Sequence, residues 1–141
     1  YAAGVSGIIV RPRNWTTAAQ TVSRASAGAS ELVQMAVAEN PEDAACFFED
    51  NGYRICAAAE SARATNLYEA DLTEPLFLLC GGEKRGIKRS FLEKADIHLK
   101  IPYGRDYRAS LGTVGAASVI GFEIMRQRMF MASPGQQADP G

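Results

Sequence analysis

The sequence predicts a single α/β domain with a mostly parallel sheet flanked by helices. Its 141 residues suit one domain, and 47% hydrophobic residues are enough for a core. Strand-length apolar runs alternate with helical patterns, which favours parallel β-α units. The run at residues 76–80 is continuously apolar, which is typical of a central parallel strand covered on both faces. We assign residues 1–131 to this domain and expect residues 132–141, rich in Pro, Gly and Gln, to be a disordered tail.

The first part of the chain predicts two short strands separated by a helix and a loop. Residues 7–10 form an apolar run that ends at Arg11-Pro12, which indicates a buried strand followed by a turn. A helix is expected to begin within residues 14–17, where Asn and Thr can cap it. The small residues 23–30 predict a loop that could hold a ligand, and alternation within residues 31–38 predicts the second strand.

The middle of the chain predicts a helix, a strand and a long irregular stretch. The helix is expected to start at Asn40 as its N-cap, with Pro41 at the first helical position and acids in the first turn, and to reach residues 51–52. A strand follows at residues 53–58. Residues 60–74 are polar and predict a loop that leads into the apolar run described above.

The last part of the chain predicts a short helix, a strand and a long final helix. Residues 88–94 are the short helix, and residues 97–101 are a strand that Pro102 ends. From Ser110 to about Met131 the apolar spacing is helical. The predicted core stripe is Val114, Ala117, Ile120 and Ile124. Further apolar residues stand outside it: Val119, Phe122 and Met125. This surplus favours a homodimer through the final helix.

Charge is balanced overall but unevenly placed along the chain. With 15 Lys and Arg against 16 Asp and Glu, the net charge is -1, which excludes a disordered or strongly basic protein. Residues 31–74 hold ten acids against two arginines, whereas residues 81–110 hold eight basic residues against four acids. The basic segment is either a solvated helix face or a surface that meets phosphates.

Cysteine usage and hydropathy indicate the compartment. The three cysteines lack C-x-x-C spacing and lie in apolar or mixed runs, which predicts reduced, buried thiols in a cytoplasmic protein. No apolar run approaches the length of a membrane span, and no metal-ligand spacing is present. The start lacks a Met and a basic leader, so we expect a fragment whose upstream part is missing.

Three local features are candidates for chemistry. The loop at residues 81–86, Gly-Gly-Glu-Lys-Arg-Gly, follows an apolar strand and departs from both phosphate-binding glycine motifs. The carboxylate of Glu83 would repel phosphate, so the loop is either an ordinary turn or a site for a neutral or cationic ligand. Ser110 is an N-cap or a ligand contact, and His98, in mid-strand, is interpreted as a buried or satisfied histidine rather than a base.

Taken together, three segments resemble the SpoU (TrmH-type) RNA ribose 2'-O-methyltransferases of the SPOUT class. These segments are residues 81–86 (G-x-E-x-x-G), residues 96–102 ending in Ile-Pro, and residues 110–112 (Ser-Leu-Gly) before a final helix that ends Arg-Gln-Arg. The resemblance implies a trefoil-knotted α/β fold, S-adenosylmethionine held by three loops, an RNA substrate (rRNA or tRNA, not DNA) and a homodimer. An Asn-x-Gly…Arg motif of the family is expected upstream of Tyr1.

The resemblance also assigns residues. It implies catalytic roles for Glu83 and Ser110. The implied cofactor-binding residues are Ala58, Leu79, Gly81, Gly82, Gly86, Ile101, Tyr103, Ser110 and Leu111. The implied RNA contacts are Lys84, Arg85, Arg105 and Arg108. Gly112 replaces the family's Asn, so a second interpretation stays open, a catalytically weak RNA-binding or assembly module of the same fold. A third interpretation is an unrelated nucleotide-binding α/β protein.

Overall fold

The structure, a computed structural model, describes residues 1–12, 18–82 and 86–131. The elements in chain order are β1 (Gly7–Val10), α1 (Ala19–Ala25), β2 (Gln34–Val37), α2 (Pro41–Asp50), β3 (Arg54–Ala58), β4 (Thr65–Asn66), β5 (Leu76–Cys80), α3 (Arg89–Lys94), β6 (Ile97–Lys100) and α4 (Thr113–Met131). A short 3-10 helix, Ala29–Glu31, precedes β2. The expected helix start at residues 14–17 and the expected tail at residues 132–141 lie outside the described residues.

All strand pairs among the described residues are parallel. β1 pairs with β2 in a two-stranded sheet, and the other four strands form a sheet in the order β4-β6-β3-β5. This arrangement confirms the predicted α/β class with a parallel sheet. β5, expected to be central, lies instead at the edge of the four-stranded sheet, and β3 occupies an inner position.

The apolar sequence of β5 reflects what covers its two faces. Leu76 and Leu78 pack against a core cluster that contains Ile120 of α4. Phe77 and Leu79 pack against a second cluster around Phe91 of α3. Since successive side chains of a strand point to opposite faces, a strand covered on both sides is apolar at every position. A continuous apolar run therefore predicts coverage by helices and does not predict the place of the strand in the sheet.

Two core clusters hold the layers together. The first lies between the sheet and α4, and its buried residues are Cys56, Leu67, Ala70, Leu72, Ile97, Leu99 and Ile120. The second lies between the sheet and helices α2 and α3, and its buried residues are Ala45, Ile55, Ala57, Phe91 and Ala95. The domain is thus a three-layer sandwich, in which the two helical layers exclude water from both faces of the sheet.

Helix α2 starts as the sequence predicts. The Asn40 side chain accepts a hydrogen bond from the Asp43 N–H at 2.8 Å, and Pro41 occupies the first helical turn. The cap satisfies a backbone donor that the helix itself cannot pair. The helix ends before Gly52, whose φ of +82° turns the chain towards β3.

Residues 60–74 are better ordered than their polar sequence suggests. They contain the short strand β4 and two leucines, Leu67 and Leu72, that are fully buried. Gln127 of α4 fastens this segment: its Nε2 donates to the Ala70 carbonyl at 3.0 Å, and its Oε1 accepts from the Leu72 N–H at 2.9 Å. Apart from the two-residue strand β4, the segment consists of turns and loop as the sequence predicts, and one glutamine holds it by supplying both a donor and an acceptor to its backbone.

Three further expectations need correction. Residues 23–25 complete α1, so the loop predicted at residues 23–30 starts later than expected. Cys46 is exposed, although Cys56 is buried and all three thiols are free. In α4, Val114 (80% exposed) and Ala117 (exposed) lie outside the core, which Ile120 and Ile124 reach. The apolar residues of α4 itself are distributed around the helix, so their spacing alone does not identify the face that packs against the core.

Replacing Phe91 by Ala tests the second core cluster. Its side chain is fully buried, so the Phe91→Ala variant is expected to lose about 3–5 kcal/mol of unfolding free energy through lost burial and a residual cavity. Phe47 on α2 is 63% exposed and provides the matched control, with an expected loss below about 1 kcal/mol for Phe47→Ala. Urea unfolding of both variants measures the difference, and equal losses would contradict this account of the core.

Candidate functional site

A cavity of about 640 Å³ lies beyond the carboxyl ends of three neighbouring strands. Its wall is built from residues at and just after the ends of β3, β5 and β6, and from the first turns of α4. Parallel strands bring their carboxyl ends to one edge of the sheet, and ligands of open α/β sheets bind in the crevice there. The volume falls in the usual range for small-molecule sites.

Eight of the nine residues implied as cofactor-binding line this one cavity. They are Ala58, Gly81, Gly82, Gly86, Ile101, Tyr103, Ser110 and Leu111. The exception is Leu79, which packs into the core cluster around Phe91. Its neighbour Cys80 lines the cavity instead, because alternate residues of a strand face opposite sides. Glu83, Lys84 and Arg85 lie outside the described residues.

The glycine loop after β5 closes on itself. The Gly86 N–H donates to the Gly82 carbonyl at 3.1 Å, and Gly86 has a φ of +55°. A Cβ at Gly81 would lie 3.1 Å from the Gly86 Cα, tighter than most real contacts, so a side chain there would push the two ends of the loop apart. A Cβ at Gly82 would meet nothing within 4 Å, so this position tolerates a side chain sterically.

Two hydrogen bonds tie the cavity loops to the start of α4. The Thr113 hydroxyl donates to the Gly81 carbonyl at 2.5 Å, which joins α4 to the glycine loop. The Leu111 N–H donates to the Tyr103 hydroxyl at 2.8 Å, which joins the loop after β6 to the chain before α4. These contacts join three separate segments of the chain around the cavity.

Ser110 does not cap α4. The helix begins at Thr113, and the Gly112 carbonyl accepts a hydrogen bond from the Ala116 N–H at 2.9 Å. The N-cap interpretation was therefore wrong, since the position before the first helical residue belongs to Gly112. Ser110 is exposed on the cavity wall, and its hydroxyl has no hydrogen bond to any residue that the structure describes.

The sequence did not single out the charged residues of the cavity wall. Among the described lining residues, Glu60 carries a negative charge and Lys100 a positive charge. Both side chains are exposed. Glu60 follows β3 and Lys100 ends β6, so the rule that ligands bind beyond strand ends could have found them. Cys80 adds no charge, because burial raises the pKa of its thiol above the ordinary value.

His98 is satisfied away from the cavity. It is 6% exposed, its Nδ1 lies 2.7 Å from the Ser61 hydroxyl, and its Nε2 lies 2.7 Å from the Leu92 carbonyl. Both ring nitrogens have partners, which confirms the interpretation of His98 as a buried, satisfied histidine. Across the described ranges, no group of three or more His, Cys, Asp or Glu could hold a metal ion.

The basic segment separates into paired and unpaired residues. Arg89 pairs with Glu93 at 2.8 Å and Lys94 with Glu49 at 2.7 Å, so these two cations belong to the helical surface. Arg105 and Arg108 lie on the exposed loop between β6 and α4. Neither forms an ion pair with a residue in the described part of the chain, which leaves their guanidinium groups available beside the cavity.

Within the described part of the chain, no helix is long and apolar enough to cross a membrane.

Sequence comparison relates most of the chain to one family. The profile of the SpoU rRNA Methylase family matches residues 1–122. A Staphylococcus saprophyticus protein named "Putative TrmH family tRNA/rRNA methyltransferase" is 32% identical over 130 residues, which cover 92% of this chain and 51% of that protein. The chain spans about half the length of the curated relatives it matches.

Solved structures share the fold. An AdoMet-bound rRNA methyltransferase from Sinorhizobium meliloti superimposes with a TM-score of 0.77 and 27% identity, covering 89% of this chain and 47% of that one. A structure described as an RNA 2'-O ribose methyltransferase gives a TM-score of 0.76 and 26% identity, covering 91% of this chain and 48% of that one.

Substituting Thr113 tests how firmly the cavity is held. Thr113→Val keeps the shape of the side chain but removes the hydroxyl that donates to Gly81, and it is expected to cost about 0.5–1.5 kcal/mol of unfolding free energy. Backbone amides of the glycine loop should then exchange faster with solvent. Thr113→Ser retains the hydroxyl and is the control. Unchanged stability and exchange in Thr113→Val would show that this hydrogen bond does not hold the loop.

Proposed function

Because the chain belongs to the SpoU rRNA methylase family, we propose that its cavity binds S-adenosylmethionine and that the protein methylates a ribose 2'-hydroxyl of rRNA or tRNA. One observation carries the proposal. The motif residues that follow β5 and β6 and precede α4 are far apart in sequence, yet they line a single cavity. The AdoMet-bound and 2'-O ribose methyltransferase neighbours, which share the fold, support the choice of cofactor and reaction.

The described wall suits the chemistry of this cofactor. Apolar side chains at Ile101 and Leu111, which are accessible on the cavity wall, offer a surface for an adenine ring, and the strand ends offer backbone donors and acceptors. The methionine part of the cofactor carries an ammonium and a carboxylate. Glu60 and Lys100 have the matching opposite charges, and we assign them to this zwitterion.

Catalysis in this proposal consists mainly of positioning. S-adenosylmethionine supplies an electrophilic methyl group when bound. The ribose hydroxyl is a poor nucleophile that must lose its proton and be aligned with that methyl. Ser110, exposed on the cavity wall, is suited to hold the substrate, and Glu83, on the glycine loop, is assigned to orient the polar network.

RNA would approach over the loop between β6 and α4. Arg105 and Arg108 are exposed there, and the proposal adds Lys84 and Arg85 from the glycine loop. Arginine and lysine contacts to phosphates position a nucleic acid and make its binding sensitive to salt. We expect the cytoplasm, where rRNA and tRNA are found, to be the place of action.

A homodimer through α4 forms part of the same proposal. Beyond its packed face the helix exposes several large apolar side chains, Phe122 (49%), Met129 (62%) and Phe130 (73%). Several large apolar side chains exposed on one helix are typical of an interface between protein chains. The trefoil knot implied by the family stays a prediction.

Gly112 favours a second candidate function. The family motif has Asn where this chain has Gly112, so a polar side chain is missing next to Ser110 on the cavity wall. A catalytically weak RNA-binding or assembly module of the same fold would retain the cavity and the exposed arginines while transferring methyl groups slowly. Measuring cofactor binding and methyl transfer separately distinguishes the two candidates.

Calorimetric titration tests the cofactor assignment. S-adenosylhomocysteine should bind, and Glu60→Gln or Lys100→Met should weaken its binding about tenfold by removing a charge-assisted hydrogen bond. Methylthioadenosine lacks the amino-acid part, so the same variants should change its affinity by less than about twofold. If both ligands lose affinity equally, Glu60 and Lys100 shape the cavity rather than bind the zwitterion. Absence of S-adenosylhomocysteine binding would refute the proposed cofactor.

Methyl transfer tests the reaction. The complete gene product should transfer label from S-adenosylmethionine to rRNA or tRNA, and the label should appear in a dinucleotide resistant to alkali, because a 2'-O-methyl group blocks cleavage at that ribose. Glu83→Ala should lower the rate about 10²–10³-fold with little change in stability. Glu93→Ala, an exposed carboxylate on α3, is the control and should retain full rate. Label in an alkali-sensitive nucleotide would place the methyl elsewhere.

A further inference from the structure

Two exposed tyrosines lie on the loop that borders the cavity between β6 and α4. Tyr103 is 40% exposed and Tyr107 is 66% exposed, and both belong to the loop between β6 and α4. Tyr103 also lines the cavity. Burying an aromatic ring stabilises a protein, and these two rings are not buried in the fold. Their exposed faces are therefore available to bind a ligand.

The position of the pair is fixed by its neighbours. The Tyr103 hydroxyl accepts a hydrogen bond from the Leu111 N–H, which anchors this ring against the chain before α4. The Tyr107 ring packs on it, with centroids 6.2 Å apart and an angle of 60° between the ring planes. Contact with an anchored ring restricts Tyr107 while leaving most of its surface open to solvent.

Charges around the pair favour a polyanion. Arg105 and Arg108 flank Tyr107 in sequence, with Asp106 as the single acid between them. Both arginines are exposed and without an ion pair among the described residues. Aromatic faces interleaved with arginine are the combination with which proteins hold unstacked bases of single-stranded nucleic acid, the rings stacking on bases and the cations meeting phosphates.

We propose that Tyr107, supported by Tyr103, is a stacking platform for an unpaired base of the RNA, next to the nucleotide whose ribose enters the cavity. This inference rests on the proposed function for the identity of the polymer, and it adds a binding site for a nucleobase. It makes single-stranded or loop RNA the preferred substrate class, because a base inside a duplex is not free to stack on the protein.

Fluorescence anisotropy with a labelled single-stranded RNA and a duplex of the same sequence tests the platform. Tyr107→Ala should weaken binding of the single strand about 5- to 100-fold and binding of the duplex by less than about twofold. Tyr107→Phe keeps the ring and should stay within about twofold of wild type. Tyr68→Ala removes another exposed tyrosine, which lies beside Arg126 and Phe130 and not on the cavity, and should have no effect.

The salt dependence of binding separates stacking from phosphate contact. Tyr107→Ala should leave the slope of log affinity against log salt unchanged, whereas Arg108→Met should lower its magnitude by about one. Equal losses with single strand and duplex, a changed slope in Tyr107→Ala, or the same loss in Tyr68→Ala would overturn the platform. A shift of Tyr107→Ala from dimer to monomer in sedimentation would also overturn it, since the ring would then be a protein contact.

Cofactor titration of the same variants keeps the two proposals distinguishable. Tyr107→Ala should bind S-adenosylhomocysteine as wild type does, and a parallel loss of that affinity would make Tyr107 a lid on the cavity instead of a base platform. RNA binding that depends on Tyr107, in a protein that binds no S-adenosylhomocysteine, would support the platform and refute the proposed methyltransferase. If the wild-type protein binds S-adenosylhomocysteine but has no affinity for single-stranded RNA, the platform is refuted and the proposed cofactor is supported.

Discussion

The rest of the structure depends on the burial of both faces of the four-stranded parallel sheet. A parallel sheet has no polar face, so α4 must cover one side and α2 with α3 the other. Ile120 on one side and Phe91 on the other are fully buried and occupy the centres of these two contacts. Because α4 is held along the sheet by this packing, its first turns come to lie over the strand ends, where the cavity forms.

The cavity is the outcome of this packing combined with a few directed hydrogen bonds. Hydrophobic burial is not directional, and by itself it would place α4 only approximately. The bonds from Thr113 to Gly81 and from Leu111 to Tyr103 add direction and connect loops that are distant in sequence. Gln127, at the far end of α4, acts in the same way on the segment before β5. Hydrogen bonds thus fasten the helix near both ends, and those at its amino end join it to the loops of the site.

Electrostatics divides the surface of the domain by role. On α2 and α3, Lys94 pairs with Glu49 and Arg89 pairs with Glu93, so both cations of these helices are neutralised by neighbouring carboxylates. The pairing of Glu123 with Arg126 on α4 keeps a largely buried carboxylate charged, and the hydrogen bonds from Arg126 lower the pKa of that group. Arg105 and Arg108 form no ion pair with a described residue and lie on the loop between β6 and α4, so they add positive charge close to the cavity.

The sequence by itself determined the class of the fold, most of its elements and the segments that build the site. Short-range signals sufficed there: Asn40 and Pro41 start α2, and the apolar run of β5 requires helices on both sides. Only the tertiary structure decided that β5 lies at a sheet edge, that Leu79 faces the core while Cys80 faces the cavity, and that Ser110 precedes the cap. Nor did local sequence mark Glu60, Lys100 or the anchored Tyr103–Tyr107 pair as neighbours of one cavity. Strand order, the direction of a side chain and contacts between distant loops depend on which surfaces pack together, and the local sequence pattern is the same for several packings.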